Sequence, residues 1–195
     1  MAANTLWFEG GQLTAHNTDG VAFLEHLRAC VPRFDARSNA VSILGAGGAA
    51  RAIIHALLRS GVGEVRIFNR TRERADHAAR HFGARCKAYN WCERADRSRE
   101  VGALINATSL GMQGGPGALE VDLSPLAEDC VVADVVYVPL ITPLLAAARA
   151  RGLPIVDGLG MLLQQAVPGF RQWFGVLPEV DEELRALLVK DIEAG

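Results

Sequence analysis

Two kinds of hydrophobic segment alternate along the chain after residue 40. Short apolar runs typical of buried strands are followed by longer stretches in which apolar positions recur with helical spacing. The predicted strands are 41–45, 64–68, 84–89, 102–106, 131–136 and 154–156, and the predicted helices are 49–60, 71–82, 140–151, 158–174 and 180–193. This alternation predicts an α/β fold with a doubly wound parallel sheet in three α/β/α layers.

The first 40 residues do not follow this alternation. They predict a short strand over 5–8, a turn at Gly10 and Gly11, and a helix over about 18–30. We therefore treat residues 1–30 as a hinge segment beside the main domain, and residues 31–195 as the main domain, with the helices within 158–193 returning to that hinge.

A glycine turn joins the strand at 41–45 to the helix at 49–60. Gly45, Gly47 and Ala50 occupy the G-x-G-x-x-A positions of a Rossmann-type dinucleotide-binding fold. Gly48 and Ala49 follow at the start of the helix, where unpaired N–H groups favour phosphate. The turn therefore predicts a dinucleotide site; the alternative is a glycine-rich strand–helix turn that binds nothing.

The residues that follow the strand at 64–68 indicate which dinucleotide. An NAD site usually has an acid there to accept hydrogen bonds from the ribose 2′-OH. This chain has Asn69, Arg70 and Thr71 instead, with Arg74 on the next helix. Guanidinium groups and short donors suit a 2′-phosphate, so the sequence predicts NADP as the cofactor. The alternative is a pair of solvent-exposed arginines at a helix start.

Composition excludes several classes of function. The 195 residues are half hydrophobic and have a net charge of −2, which gives no reason to expect nucleic acid as a partner. No apolar run has the length of a membrane span, and no signal peptide opens the chain, so we expect a cytoplasmic protein that does not bind membranes.

Metal binding is not expected. The four cysteines form no C-x-x-C pair and are read as reduced thiols. His77 and His81 have i, i+4 spacing but lack a third ligand in view, so we interpret them as surface histidines.

A series of motifs resembles the shikimate dehydrogenase family over nearly the whole chain. In order, these are Asn4-Thr5-Leu6, Asn17-Thr18-Asp19-Gly20, the glycine turn, Asn69-Arg70-Thr71, Asn106-Ala107-Thr108-Ser109, Asp134-Val135-Val136-Tyr137, Thr142-Pro143-Leu144, and 157–162 (D-G-L-G-M-L) with Gln165-Ala166. The glycine turn occurs in many families, whereas the N-T-D-G, D-V-V-Y and G-L-G-M-L motifs together are much more specific.

The resemblance implies NADP-linked, reversible reduction of 3-dehydroshikimate to shikimate, in aromatic amino acid biosynthesis. It implies that Asp19 pairs with a catalytic lysine, and that Asn4, Tyr137 and Gln165 bind the small-molecule substrate. It also assigns Asn106, Thr108, Val135, Gly158 and Met161 to the cofactor site. The chemistry fits these residue types, since hydride transfer to a ketone needs a proton donor, and carboxamides both donate and accept hydrogen bonds to hydroxyls.

Simpler interpretations remain for the N-T-D segment, for Tyr137 and for Asn4. Asn17, Thr18 and Asp19 are also the residue types that cap helix N-termini. Tyr137 could be a plain aromatic residue at a strand end, and Asn4 a turn residue.

The chain departs from the family pattern at its beginning. It starts almost at the A-x-N-T motif, and the family's upstream domain, which carries the lysine and much of the substrate site, is absent from these residues. Neither Lys87 nor Lys190 has the context of the catalytic lysine, and Ala15 and Ala22 stand where the family often has glycines. We expect the chain to be the cofactor-binding part and to be catalytically incomplete alone.

Three readings of the chain follow. It is a shikimate dehydrogenase part, which we favour, or another NADP enzyme such as a glutamyl-tRNA reductase or methylenetetrahydrofolate dehydrogenase, or a non-enzymatic NADP-binding module. Quinate remains an alternative substrate. Apolar positions on two helices (Val21, Phe23, Leu24 and Leu27; Leu184, Leu187, Leu188 and Ile192) predict a surface that pairs with the upstream domain or drives self-association.

Overall fold

A parallel sheet of six strands lies at the centre of the computed structural model, which describes residues 3–35 and 40–194. Its strands are β3 (Ala40–Leu44), β4 (Val65–Phe68), β5 (Cys86–Tyr89), β6 (Val101–Asn106), β7 (Val131–Asp134) and β8 (Ile155–Val156). They are ordered β5-β4-β3-β6-β7-β8, with every neighbouring pair parallel. The strand order reverses between β3 and β6, which places a ligand crevice at their carboxyl ends.

Both faces of the sheet are covered, which confirms the predicted α/β/α layers. The helices are α1 (Asp19–Cys30), α2 (Gly48–Ser60), α3 (Arg72–Phe82), α4 (Pro143–Ala150), α5 (Gly158–Phe174) and α6 (Glu182–Ala194). Residues of α1, α2, α3 and α5 form one core with one face of the sheet. On the other face, α4 packs together with Leu119, Leu123 and Leu126 of the segment before β7. Parallel strands buried on both faces read as continuous apolar runs, as these do.

An antiparallel hairpin precedes the main sheet. β1 (Thr5–Glu9) pairs with β2 (Gln12–His16), with Thr5 opposite His16 and Glu9 opposite Gln12. The sequence predicted β1 and the turn but not β2, because only Leu13 and Ala15 are apolar there. The hairpin contacts α5 through the Trp173 indole, whose Nε1 donates to the Leu6 carbonyl at 2.8 Å.

Two predicted elements have a clearly different boundary in the structure. The helix predicted over 140–151 begins at Pro143, because the Thr142 hydroxyl accepts from Leu145 N at 3.3 Å as its N-cap. The strand predicted over 131–136 ends at Asp134, whose carboxylate accepts from Val136 N at 3.0 Å. Short 3₁₀ turns at Trp91–Glu93 and Asp96–Ser98 were not predicted.

The predicted apolar surface of α1 is wrong in part. Phe23, Leu24 and Leu27 are buried in the core against α2 and α5, and only Val21 of the predicted set is exposed. On α6, Leu184 and Leu187 are exposed, as predicted. The α1 helix shares its hydrophobic core with the main domain. The predicted division of the chain at residue 30 stays a prediction.

Among the described residues, no helix combines the length and apolar character needed to cross a membrane. The same residues contain no cluster of three or more His, Cys, Asp or Glu side chains placed to hold a metal ion. His77 instead lies 2.6 Å from the Arg51 guanidinium.

Candidate functional site

The glycine turn follows β3 with the geometry that the motif predicts. Gly45 has φ +113°, and a Cβ there would lie 2.7 Å from the Ala107 carbonyl oxygen, so only glycine fits. A Cβ at Gly47 would meet nothing within 4 Å. Ala50 is fully buried where α2 crosses the sheet. The turn is therefore closed on its inner side and open where a pyrophosphate would approach.

The start of α2 presents free donors to this open side. Its N-cap is Gly47, which supplies no side-chain cap, and its first turn contains no acid. The amides of Gly48 and Ala49 have no acceptor among the residues that the structure describes. Unpaired N–H groups with no nearby carboxylate suit an anion, so the turn fits the phosphates of a dinucleotide.

The four residues predicted to select NADP lie at the carboxyl end of β4, next to the glycine turn. Asn69 Nδ2 donates to the Thr71 carbonyl at 2.8 Å, which shapes the turn into α3. The side chains of Arg70, Thr71 and Arg74 are exposed, and Thr71 is the N-cap of α3 without forming a side-chain cap bond. Two guanidinium groups and a hydroxyl are thus available, and the place of Asn69 in the cofactor site stays a prediction.

Asn106, which the sequence assigns to the coenzyme site, makes its side-chain contacts inside the protein. Its side chain is fully buried, and Nδ2 donates to the Leu110 carbonyl at 3.1 Å and to Asp134 Oδ1 at 2.8 Å. Its Oδ1 accepts from the Thr108 backbone N at 3.0 Å and the Thr108 hydroxyl at 2.7 Å. These bonds use the amide entirely inside the protein. Its side chain shapes the loop that carries Thr108, and its assignment to the coenzyme site stays a prediction.

Asp134 lies in the D-V-V-Y motif and is not among the predicted site residues. It is 1 % exposed and accepts from Asn106, from Val136 N and from the Thr142 hydroxyl at 2.8 Å. Burial raises the pKa of its carboxyl to about 6, against the opposing effect of these hydrogen bonds. Asp134 therefore ties β6, β7 and the start of α4 together directly beneath Val135 and Tyr137.

The residues assigned to the nicotinamide pocket lie where β7 meets the start of α5. A Cβ at Gly158 would lie 2.4 Å from the Val135 carbonyl oxygen, so this approach requires glycine. Met161 follows one turn later and is 6 % exposed. Tyr137 is exposed at a cavity of about 300 Å³, which Leu159 also lines together with residues of α6.

Asn4, Asp19 and Gln165 are brought together by Thr18. Asn4 Nδ2 donates to Asp19 Oδ1 at 2.6 Å and to the Thr18 hydroxyl oxygen at 2.9 Å. The Thr18 hydroxyl donates to the backbone carbonyl oxygen of Gln165 at 2.9 Å. These contacts bring the predicted catalytic residue Asp19, the Asn4 side chain and the backbone of Gln165 to one point, where the hairpin, α1 and α5 meet. Tyr137, the other predicted substrate residue, is not part of this cluster and lines a cavity beside α6.

The capping interpretation of this segment describes its contacts in part, because Asn17 Oδ1 accepts from Asp19 N, the first amide of α1, at 3.1 Å. Thr18 is the N-cap of α1 but makes no side-chain cap bond, and both Asp19 oxygens accept from side-chain amides, of Asn4 and of Asn17 at 3.2 Å. Thr18 is not among the predicted site residues, although it lies in the N-T-D-G motif and links Asn4 to Gln165. Its burial among polar residues is the signal that sequence alone does not give.

No lysine among the described residues reaches Asp19. Lys87 forms an ion pair with Glu64, which also pairs with Arg66 at 2.7 Å. Lys190 lies on α6 beside the groove that Leu184 and Leu187 line. The structure therefore agrees with leaving both lysines unassigned.

Two family models match this chain. The model described as shikimate / quinate 5-dehydrogenase matches residues 29–111, and the shikimate 5'-dehydrogenase C-terminal domain model matches residues 158–188. A shikimate dehydrogenase (NADP(+)) from Azorhizobium caulinodans is 53% identical over 192 residues, covering 98% of this chain and 68% of the relative.

The chain belongs to the shikimate dehydrogenase family.

Solved structures of this family share the fold. Quinate dehydrogenase from Corynebacterium glutamicum in complex with NAD superposes with a TM-score of 0.86 at 32% identity, over 96% of this chain and 67% of that one. Shikimate 5-dehydrogenase from Thermus thermophilus in complex with NADP(H) and shikimate gives 0.80 at 36% identity, over 98% and 68%. The chain spans about two thirds of the length of these shikimate dehydrogenase family proteins.

Proposed function

We propose that this chain is the coenzyme-binding part of an NADP-dependent shikimate dehydrogenase, which reversibly reduces 3-dehydroshikimate to shikimate. The observation that carries the proposal is the cluster of Asn4, Asp19 and Gln165 beside a coenzyme crevice whose 2′-phosphate end has arginines instead of an acid. Family membership supports the same reaction.

The residues of the crevice bind and orient the coenzyme. Gly47 lets the backbone approach the pyrophosphate, and the amides that open α2 donate to it. Arg70 and Arg74 would hold the 2′-phosphate through charge-assisted hydrogen bonds. When bound, NADPH would supply the hydride that reduces the substrate carbonyl. Val135, Gly158 and Met161 would line the nicotinamide pocket and exclude water from it.

The residues of the substrate cluster hold the hydroxyls and the proton donor. Asn4 and Gln165 have carboxamides, which donate and accept hydrogen bonds to a polyhydroxylated ring. Asp19 orients the family's lysine, which protonates the oxygen as negative charge develops on it. Because Lys87 and Lys190 lie elsewhere, we propose that the 195 residues bind NADPH but turn over little substrate by themselves.

Quinate is the second candidate substrate, because the chain superposes well on a quinate dehydrogenase. A non-enzymatic NADP-binding role is the third reading. Location in the cytoplasm stays a prediction.

The decisive test joins this chain to the remaining third of the Azorhizobium caulinodans relative and measures NADP+ reduction with shikimate and with quinate. We expect shikimate oxidation in the joined protein and almost none in the 195 residues alone. Asp19→Asn should lower kcat by about a hundredfold or more, within the range for positioned acid–base groups, while leaving the affinity for NADPH unchanged. Faster quinate oxidation would favour the second substrate. Lack of turnover with either substrate in the joined protein would contradict the proposal.

Asp122→Asn serves as the matched control. Asp122 is an exposed aspartate that accepts from Ser124 in the segment before β7. Its substitution should leave turnover at the parent value.

A further inference from the structure

Four residues from three helices meet at the start of α5, next to Gly158 and Met161, and none of the four has a role in the site described above. Asp157 is the N-cap of α5 and accepts from Leu159 N at 3.0 Å and Gly160 N at 3.2 Å. Arg185 of α6 binds the same carboxylate through both guanidinium nitrogens, at 2.6 and 3.4 Å. His26 of α1 lies 3.6 Å from Asp157 Oδ1. We refer to His26, Asp157, Gly160 and Arg185 as the α5 clamp.

The clamp also joins α1 and α5 through close van der Waals packing. A Cβ built on Gly160 would lie 2.0 Å from His26 Cε1, so the imidazole packs directly on the backbone of the first turn of α5. His26 and Asp157 expose only 11 and 16 % of their side chains. The His26 ring packs on Gly160 and pairs with Asp157 at the same time. This double contact leaves α5 little freedom to slide or rotate against α1.

A second contact between these helices lies at the substrate cluster. Thr18, directly before α1, donates to the Gln165 carbonyl at 2.9 Å. Asp157 thus lies beside His26, and Gln165 lies beside Thr18. Because residue numbers rise along α5 as they fall along α1, the two helices run antiparallel. A slip of α5 by one residue would move Gln165 by about 1.5 Å and turn it by about 100°. The clamp therefore fixes where Gln165 stands relative to Asp19.

We propose that His26 and Arg185 are positioning residues for the substrate site, acting through Asp157 to hold α5 and Gln165 in register with Asp19. The role in substrate binding rests on the proposed function. The mechanical role of the clamp does not, and it can be measured without turnover.

The charges around His26 support this role. It faces Asp157 from α5, Arg185 from α6 through that carboxylate, and Cys30 on its own helix, whose sulfur lies 3.6 Å from the ring nitrogens. Burial alone would lower the pKa of His26, but Asp157 and Cys30 outweigh it and raise the pKa to about 9. The pKa of Asp157 is lowered, against its burial, chiefly by His26 and Arg185. The pair is therefore charged on both sides at neutral pH.

The first experiment follows the His26 Cε1 proton by NMR titration in the 195-residue chain and in Asp157→Asn. Asparagine still caps α5, so the helix is kept while the ion pairs are lost. We expect the His26 pKa to lie well above the ordinary value of about 6.5 in the parent chain and to fall by at least about one unit in Asp157→Asn. An ordinary pKa in the parent chain, or an unchanged one in the variant, would overturn the clamp.

The second experiment measures amide hydrogen exchange over residues 158–166 in Arg185→Met, Arg185→Lys and the control Lys190→Met, an exposed cation on the same helix. We expect exchange to rise by about tenfold in Arg185→Met, to be partly restored by lysine, and to stay unchanged in the control. Equal exchange in Arg185→Met and the control would refute the proposal even if all the variants fold.

In the joined protein with turnover, the same Arg185→Met should raise the KM for shikimate about tenfold and the KM for NADPH by clearly less. If the joined parent protein oxidises no shikimate, the proposed function is wrong. The NMR and hydrogen-exchange experiments test the clamp independently of that result. An equal rise in both KM values would show a general loss of structure and contradict a positioning role.

Discussion

At the scale of single residues, the glycines fall into two groups, those packed against other atoms and those that face open space. Gly45, Gly158 and Gly160 have no room for a Cβ, whereas Gly47 meets nothing within 4 Å. The motif predicts a tight turn at Gly45 and free space beside Gly47, and the backbone has both features. The contact between Gly160 and His26 has no sequence signature, because it joins residues 134 positions apart in sequence.

Gly47→Ala should leave stability nearly unchanged and weaken NADPH binding. Its φ of −79° and ψ of −165° suit alanine, so the folded protein is not strained. The new methyl group points into the space where the pyrophosphate approaches, and we expect an affinity loss of about tenfold or more. Chemical unfolding and calorimetry measure the two effects.

Gly63→Ala is the matched control, since a Cβ there also meets nothing within 4 Å, in a loop away from the crevice. It should change neither quantity. Unaltered NADPH affinity in Gly47→Ala would show that the phosphates do not lie at this turn.

At the scale of elements, the sequence predicted the parallel sheet and most helices, because buried strands and amphipathic helices have different periods. It missed β2, whose alternation is weak, and it placed the start of α4 too early. That start and the end of β7 are both set by Asp134 and Thr142, which lie eight residues apart and meet only in the folded chain. The same buried network holds the Asn106 side chain, a set of contacts that the sequence alone does not reveal.

Asp134 should make stability depend on pH in a way that Asp134→Asn does not. Its pKa rises from 3.8 to about 6 on folding, so the folded state favours the protonated form. The stabilisation from that proton is complete below about pH 4 and is lost as pH rises through about 6. We expect the free energy of unfolding of the parent chain, relative to Asp134→Asn, to fall by about 2–3 kcal/mol between about pH 4 and 7.

Urea unfolding at several pH values measures this difference. Other titrating groups are common to both proteins and cancel. A constant difference across the range would mean that Asp134 keeps an ordinary pKa.

At the scale of the whole molecule, one apolar surface remains uncovered within the described chain. The hairpin contributes Leu6, Phe8 and Leu13, and the end of α5 with the segment after it contributes Phe170, Trp173, Phe174, Val176 and Leu177. The Trp173–Leu6 hydrogen bond makes these two groups contiguous. The position of this surface differs from the one predicted, since most of α1 is buried.

We expect the 195-residue chain to self-associate through this surface, because large apolar patches drive association. Sedimentation at several concentrations should show a concentration-dependent mass that Phe8→Ser with Phe174→Ser reduces. Met112→Ser, at an exposed apolar residue of another loop, should not reduce it. A monomer at every concentration would contradict this expectation.

The preference for NADPH tests the central claim most directly. Calorimetric titration of the chain with NADPH and with NADH should give at least about tenfold tighter binding of NADPH, since one charge-assisted contact contributes about 1.5–3 kcal/mol. Arg70→Ala should remove much of this preference, and Arg80→Ala, an exposed arginine further along α3, should not. Equal affinities for the two coenzymes, or a preference that survives in Arg70→Ala, would contradict the account.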